Sequence, residues 1–240
     1  MNPLDLSDRR ILVTGGSGGI GHALCRALAT AGADVAFTWF LDHEGAERTA
    51  SVIRDAGRTP LSLRVNLGDD GEAERVAAQV LATWPTVHGF VSNAASGAIR
   101  PTLQLKAKHW RRTMNVNARA FLLLAQALAA AMPRGGRILA LTSAGATHAL
   151  EQYAAVGASK AALEALVRHL AMELGPRGIT VNALCPGVVD TQAIAHFPTR
   201  DTLVQVASAR TPMGRIATPG DVADVARLLM SPLAQMISGQ

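Results

Sequence analysis

Apolar residues recur along the chain in short blocks that alternate with longer segments of helical spacing. Arg10–Thr14 (RILVT) is a compact apolar run that ends in glycines and predicts a strand. Ile20–Ala31 then repeats Ala, Leu and Cys at helical spacing, and Gly32 marks its end, as glycine does just past many helices. The alternation continues. Strands are predicted over Val35–Trp39, Leu61–Val65, Val87–Ser92, Arg137–Leu141 and Ile179–Leu184. Helices are predicted over His43–Ala56, Asp69–Thr83, about Leu105–Met132, Tyr153–Leu174 and Pro219–Met230, with Gly57, Pro85 and Gly175-Pro176 as stop signals. Pro186–Arg215 is less regular. The chain stops at Ile237–Gln240, where one more strand is expected, so a truncated end or a missing short tail stays open.

Strands of about five residues separated by helices demand a parallel sheet with helices on both faces. The expected class is α/β: a single Rossmann-like, doubly wound domain over residues 1–240, with ligands beyond the carboxyl ends of the strands. Neither an internal repeat nor a linker interrupts it.

Composition narrows the picture. Of the 240 residues 49% are hydrophobic but only 4% aromatic, so the core must be built from Ala, Leu and Val. The two cysteines, Cys25 and Cys185, suggest no disulfide framework and read as small buried hydrophobes. No apolar leader follows Met1, and the greasiest stretch, Phe121–Met132, is too short to span a bilayer, so a soluble cytoplasmic protein without membrane contact is expected. A net charge of +5 with mixed signs lacks the basic stripe of a nucleic-acid binder. The densest basic cluster, Lys106, Lys108, His109, Arg111 and Arg112, reads as a solvated helix face that could also dock an acidic carrier protein.

The chemistry concentrates in two stretches. Thr14-Gly15-Gly16-Ser17-Gly18-Gly19-Ile20-Gly21 joins the first strand to the first helix and satisfies both G-x-G-x-x-G and T-G-x-x-x-G-x-G. Glycines there allow a tight turn and close backbone approach to a pyrophosphate on the helix N-terminus. A glycine-rich turn without a ligand is the plainer alternative. An acid usually holds the adenosine ribose diol at the end of the second strand, but here the strand ends Thr38-Trp39-Phe40-Leu41; Asp42 comes slightly late and no arginine occupies the turn. That balance leans to NADPH, with NADH not excluded and His43 and Arg48 as candidate contacts. Asn66 and Leu67 would flank the adenine, although Asn66 is also an ordinary turn former. The second stretch is Tyr153-Ala-Ala-Val-Gly-Ala-Ser-Lys160. Seven helical steps turn through about 700°, so both side chains would share one face and the ammonium would favour the phenolate.

Together these pieces resemble the short-chain dehydrogenase/reductase superfamily over essentially the whole chain. Thr14-Gly15…Gly19-Ile20-Gly21 is similar to its cofactor loop, Asn93-Ala94-Ala95 to its Asn-Ala-Gly motif, and Asn117 to its mid-helix asparagine. Pro186-Gly187-Val188-Val189-Asp190-Thr191 resembles its nicotinamide-side loop; Pro212–Arg215 and Ile237–Gln240 resemble its C-terminal signatures. The commoner branch spaces its pair Tyr-x3-Lys, a register that here would fall on Val156. Tyr153-x6-Lys160 instead resembles the enoyl-acyl-carrier-protein reductases, and Asn93-Ala-Ala-Ser-Gly and His196-Phe-Pro resemble an NADPH-using subgroup of them.

The resemblance implies catalytic roles for Tyr153, Lys160, Ser143 and Asn117. It implies cofactor contacts at Gly15, Ser17, Gly19, Ile20, Trp39, Asn66, Leu67, Asn93, Ala94, Thr142, Tyr153, Lys160, Pro186, Gly187, Val188 and Thr191, and no metal. The family hydroxyl counts back from Gly145 to Thr142, with Ser143 next door; some enoyl reductases carry a second tyrosine at the position of Ser143. The implied reaction is hydride transfer to the β-carbon of an enoyl thioester, on a small carrier or a carrier protein. Carbonyl or imine reduction and a non-catalytic dinucleotide sensor are the alternatives. A substrate lid is expected over about 191–213, and a homo-oligomer, tetramer or dimer, through the helices carrying Asn117 and Tyr153.

Overall fold

A computed structural model describes residues 2–191 and 200–240. Its centre is a sheet of six parallel strands in the order β3-β2-β1-β4-β5-β6. These are β1 (Arg10–Val13), β2 (Asp34–Trp39), β3 (Leu61–Arg64), β4 (Gly89–Ser92), β5 (Arg137–Leu141) and β6 (Thr180–Leu184). Burial follows position in the sheet. Inner β5, RILAL, is buried at every residue, as a strand covered on both faces must be. Edge β3, LSLR, alternates: Leu61 and Leu63 turn inward while Ser62 and Arg64 face water.

Strand register distributes the side chains between two cores. Ile11 stands opposite Val35 on one side and Gly89 on the other. Ile11 and Val13 then point to one face and Leu12 to the other. On the first face β1, β2 and β4 meet α1 (Gly19–Thr30), α2 (His43–Asp55) and a C-terminal helix, α8 (Pro219–Met230), through Leu24, Leu28, Phe37, Ile53, Val222 and Ala226. The second face packs against α3 (Glu72–Thr83), α5 (Ala120–Ala130) and α6 (Ala154–Leu174), where the Phe90 and Phe121 rings stack at 6.1 Å. Each fully buried Leu, Ile or Phe contributes roughly 1.5–3 kcal/mol.

Four expectations change. The segment expected as one helix over Leu105–Met132 is two: α4 (Ala107–Met114) and α5, joined by a widened π-type turn at Asn115–Arg119. The less regular stretch holds a helix, α7 (Arg200–Arg210). Tyr153 does not ride inside α6 but precedes it at the cap position, with its carbonyl accepting from Gly157 N–H at 2.8 Å. Cys185 is exposed; only Cys25 is buried, and its desolvated thiol is pushed well above the ordinary range. The expected extra strand begins to form: Gly239 N–H donates to Val181 O and Ala183 N–H to Gln240 O. No helix among the described residues is long and apolar enough to cross a membrane.

Candidate active site

The chain reverses its winding between β1 and β4, and the crevice beyond their carboxyl ends is where a doubly wound sheet holds ligands. A cleft of ≈ 550 Å³ opens there. Of the expected cofactor contacts, Gly15, Ser17, Gly19, Ile20, Trp39, Asn66, Leu67, Asn93, Ala94 and Thr191 line it together. Thr142, Tyr153, Lys160, Pro186, Gly187 and Val188 do not line this cleft.

Gly15, Gly16 and Gly21 of the glycine loop have no room for side chains. Gly15 sits at φ +71°, and a Cβ there would stand 2.8 Å from Ala94 Cα; a Cβ on Gly21 would overlap the Gly15 carbonyl oxygen. Hydroxyls hold the loop from below. Thr38 Oγ1 accepts from Gly15 N–H at 3.1 Å. Thr14 Oγ1 accepts from both Asn93 and Ala94 N–H at 3.1 Å, while Asn93 Nδ2 donates to the carbonyls of Thr14 and Gly15. Thr49 Oγ1 donates to Gly16 O at 2.9 Å, so the His22 ring nitrogen 2.8 Å from that hydroxyl is its donor. Thr14 opens the glycine motif read from the sequence, but Thr38 and Thr49 were not anticipated as supports of the loop; their partners lie tens of residues away in sequence, and no local spacing flags them.

The first turn of α1 has neither a capping side chain nor an acid. Its free N–H groups and positive dipole end therefore face a cleft where added Cβ atoms would collide, a surface that suits a pyrophosphate. At the far end, Asp42 caps α2 by accepting from Gly45 N–H at 2.8 Å and lies 3.9 Å from Arg48. The sheet adds a cation that the turn itself lacks: Arg64 pairs in register with Trp39, lies 5.6 Å from its ring centroid, and donates to Phe40 O. Asn66 does form its turn, accepting from Gly68 N–H and donating to Asp69, and it lines the cleft as well.

The second constellation lies where β5 ends and α6 begins. The Tyr153 hydroxyl donates to Ser143 Oγ at 3.2 Å. Its ring packs over Gly145, where a Cβ would stand 2.5 Å from Tyr153 Cδ1. Thr142 turns elsewhere and donates to Glu164 at 2.7 Å, so the hydroxyl beside the phenol is that of Ser143. Lys160 is 5% exposed and donates to Leu141 O at 2.7 Å; desolvation lowers its pKa to about 8. Asn117, in the π-type turn, donates to Ser159 Oγ and Ser96 O and accepts from Ser96 N–H. It ties the loop after β4 to α6 and makes no recorded bond to Lys160. The loop after β6 is pinned by Val189 pairing with Ala217, and Thr191 reaches over the glycine loop, 3.3 Å from where a Gly19 Cβ would stand. The expected lid falls partly on 192–199, outside the described residues, and His196 with it. Among the described residues no cluster of three or more His, Cys, Asp or Glu could hold a metal.

Residues 15–240 match the family model described as Enoyl-(Acyl carrier protein) reductase. The chain is 33% identical to 1-cyclohexenylcarbonyl-CoA reductase of Streptomyces collinus, over 98% of this chain and 85% of that one. It is 30% identical to 7alpha-hydroxysteroid dehydrogenase of Escherichia coli K12, over 99% and 92%. Among solved structures, a short chain dehydrogenase from Burkholderia cenocepacia in complex with NADP superposes with a TM-score of 0.91 at 33% identity, covering 98% of this chain and 95% of that one. The angucycline C-6 ketoreductase LanV with bound NADP gives 0.90 at 32%, covering 98% and 93%. A family match that runs almost end to end, relatives of this identity along the full length and solved structures that superpose over nearly the whole chain leave one assignment: the chain belongs to the short-chain dehydrogenase/reductase superfamily of oxidoreductases.

Proposed function

We propose that the protein is an NADPH-dependent reductase of enoyl thioesters. NADPH, when bound in the β1/β4 cleft, supplies the hydride. The glycine loop and the uncapped start of α1 would hold its pyrophosphate, and Arg64, together with Arg48 in its ion pairs to Asp42 and Glu44, would supply positive charge at the end of β2 toward a 2′-phosphate, with His43 against Trp39 as a further contact. Thr191, and the backbone at Val188 on the same loop, would hold the nicotinamide carboxamide.

The observation that carries the reading is the placement of the phenol. Tyr153 stands three residues ahead of Val156, the position of the commoner register, and its hydroxyl meets Ser143. Hydride addition to the β-carbon leaves negative charge on the thioester oxygen. Tyr153 donates a hydrogen bond to that oxygen, Ser143 orients the phenol, and the buried Lys160 ammonium holds a positive field at the end of β5. A solvent proton at the α-carbon completes the reduction. The family description and the CoA reductase of Streptomyces collinus support this bond choice.

Carbonyl reduction is the second reading. Ser143 beside Tyr153 favours it, because a hydroxyl pair of this kind can protonate a ketone oxygen, and ketoreductases stand among the similar structures. Turnover of crotonyl thioester against acetoacetyl thioester with NADPH separates the two. Reduction of the keto substrate alone would remove the enoyl reading. Turnover of neither, with dinucleotide bound, would leave a sensor. Tyr153→Phe is expected to lose about 10²-fold or more in kcat while binding the dinucleotide as before; unchanged turnover would mean that another group is the donor.

A further inference from the structure

A second concavity, ≈ 560 Å³, adjoins the dinucleotide cleft and shares Asn66, Ser96 and Arg112 with it. Its wall is α4, whose sequence AKHWRRTM contains no acid. Lys108, His109, Arg111 and Arg112 face this groove, with Ser96 and Asn115 beside them. Among the described residues neither Lys108, Arg111 nor Arg112 forms an ion pair. The one acid in the lining, Asp69, accepts a hydrogen bond from Asn66. Desolvation, and then the charges of Arg100, Lys108 and Lys106, hold the His109 imidazolium below its ordinary pKa, a sign of the positive potential there. Lys108 stands three and four positions from Arg111 and Arg112, so the cations repel one another along one side of a short helix. Repulsion of that kind is relieved by an anion that bridges them.

The groove is also close to the chemistry. The backbone of Ser96–Arg100 is the partition between it and the turn that carries Tyr153. Arg100 N–H donates to Gln152 O at 3.0 Å, and a Cβ on Gly97 would overlap Val156 in the first turn of α6. A single segment of chain separates the two. A substrate whose reacting end lies at Tyr153 can lay its handle over this partition.

We infer that the basic groove on α4 receives the phosphorylated nucleotide end of a coenzyme A thioester, so that the protein prefers substrates on that small carrier. The inference rests on the thioester reading above. Cations converging on a concavity suit a compact, multiply charged nucleotide, and the volume lies within the range of about 300–1,000 Å³ usual for small-molecule sites.

The test compares crotonyl-CoA, crotonyl-dephospho-CoA, crotonyl-pantetheine and crotonyl-acyl-carrier protein. Each is assayed with the wild-type enzyme and with a Lys108→Ala/Arg111→Ala double variant, whose melting temperature is checked first. Loss of the nucleotide is expected to raise KM about tenfold or more with kcat little changed, and high salt to erase the difference. The double variant should treat the CoA and pantetheine thioesters alike, with its KM for NADPH unmoved. Calorimetric titration of free CoA into the NADPH-loaded enzyme gives a readout independent of turnover. Equal handling of CoA and pantetheine thioesters by the wild type, or a defect confined to the carrier-protein substrate, would overturn the inference while leaving the thioester reading intact. CoA binding that depends on Lys108 and Arg111 without turnover of any enoyl thioester would do the reverse.

Discussion

Lys160 is an ammonium held where water scarcely reaches. Its pKa lies near 8 in the folded protein against 10.5 for the free side chain, with desolvation as the cause. The sign follows directly. A base with a depressed folded pKa penalises folding while the group is charged, fully below pH 8, and the penalty fades as pH rises toward 10.5. Lys160→Met is therefore expected to be more stable than the wild type at pH 7, by up to about 3 kcal/mol, with the gap closing above pH 10; urea denaturation of both proteins across pH measures it. A variant less stable at neutral pH would show that the Leu141 contact outweighs the desolvation. Gly145→Ala places a methyl 2.5 Å from the Tyr153 ring and is expected to cost about tenfold or more in kcat with dinucleotide affinity kept. Stopped-flow turnover beside fluorescence titration checks the split. At this scale the sequence showed the reactive pair, because the spacing of Tyr153 and Lys160 is local. It left Thr142 and Ser143 unresolved. Only the packing of α6 against β5 sends one hydroxyl to Glu164 and the other to the phenol.

Among the elements, the turn between α4 and α5 does the most to join the site. Apolar periodicity runs through Leu105–Met132 without a break, so the pattern alone gives no sign of the widened turn. Its cause is tertiary: the Asn117 amide satisfies both backbone groups of Ser96 and reaches Ser159. Asn117→Ala leaves those buried groups without partners and is expected to lower stability by about 2–4 kcal/mol, with no change in the m-value. A drop below about 0.5 kcal/mol would mean that the loop finds other partners. Inner strands such as β4 and β5 were legible because strands buried on both faces read as unbroken apolar runs, edge β3 because its apolar residues alternate, and glycines punctuate the helices. Helix α7 was not legible: the apolar and polar residues of RDTLVQVASAR follow no clear amphipathic order.

On the scale of the molecule, two aliphatic cores grip one sheet, and the low aromatic content is met by close packing of Ala, Leu and Val. The surface keeps large apolar side chains. Leu103, Trp110 and Leu150 are exposed on or beside the segments that carry α4 and Tyr153, and Met213, Leu233 and Met236 near the C-terminal end. Where such side chains gather into one patch they mark association surfaces. Sedimentation is expected to show a dimer or tetramer, and Trp110→Glu to shift it toward monomer; a monomeric wild type at micromolar concentration would refute this.

Thr14 joins the two strands that flank the crevice, and Asn93 answers from the other side. Backbone donors at the crevice floor are thus already matched before any coenzyme arrives. Organising that floor is part of folding itself and is not repeated at each turnover. Amide exchange around Thr14 and Asn93 should accordingly be as slow in the apoenzyme as in the dinucleotide complex, with binding-induced protection confined to segments that lack such stitches.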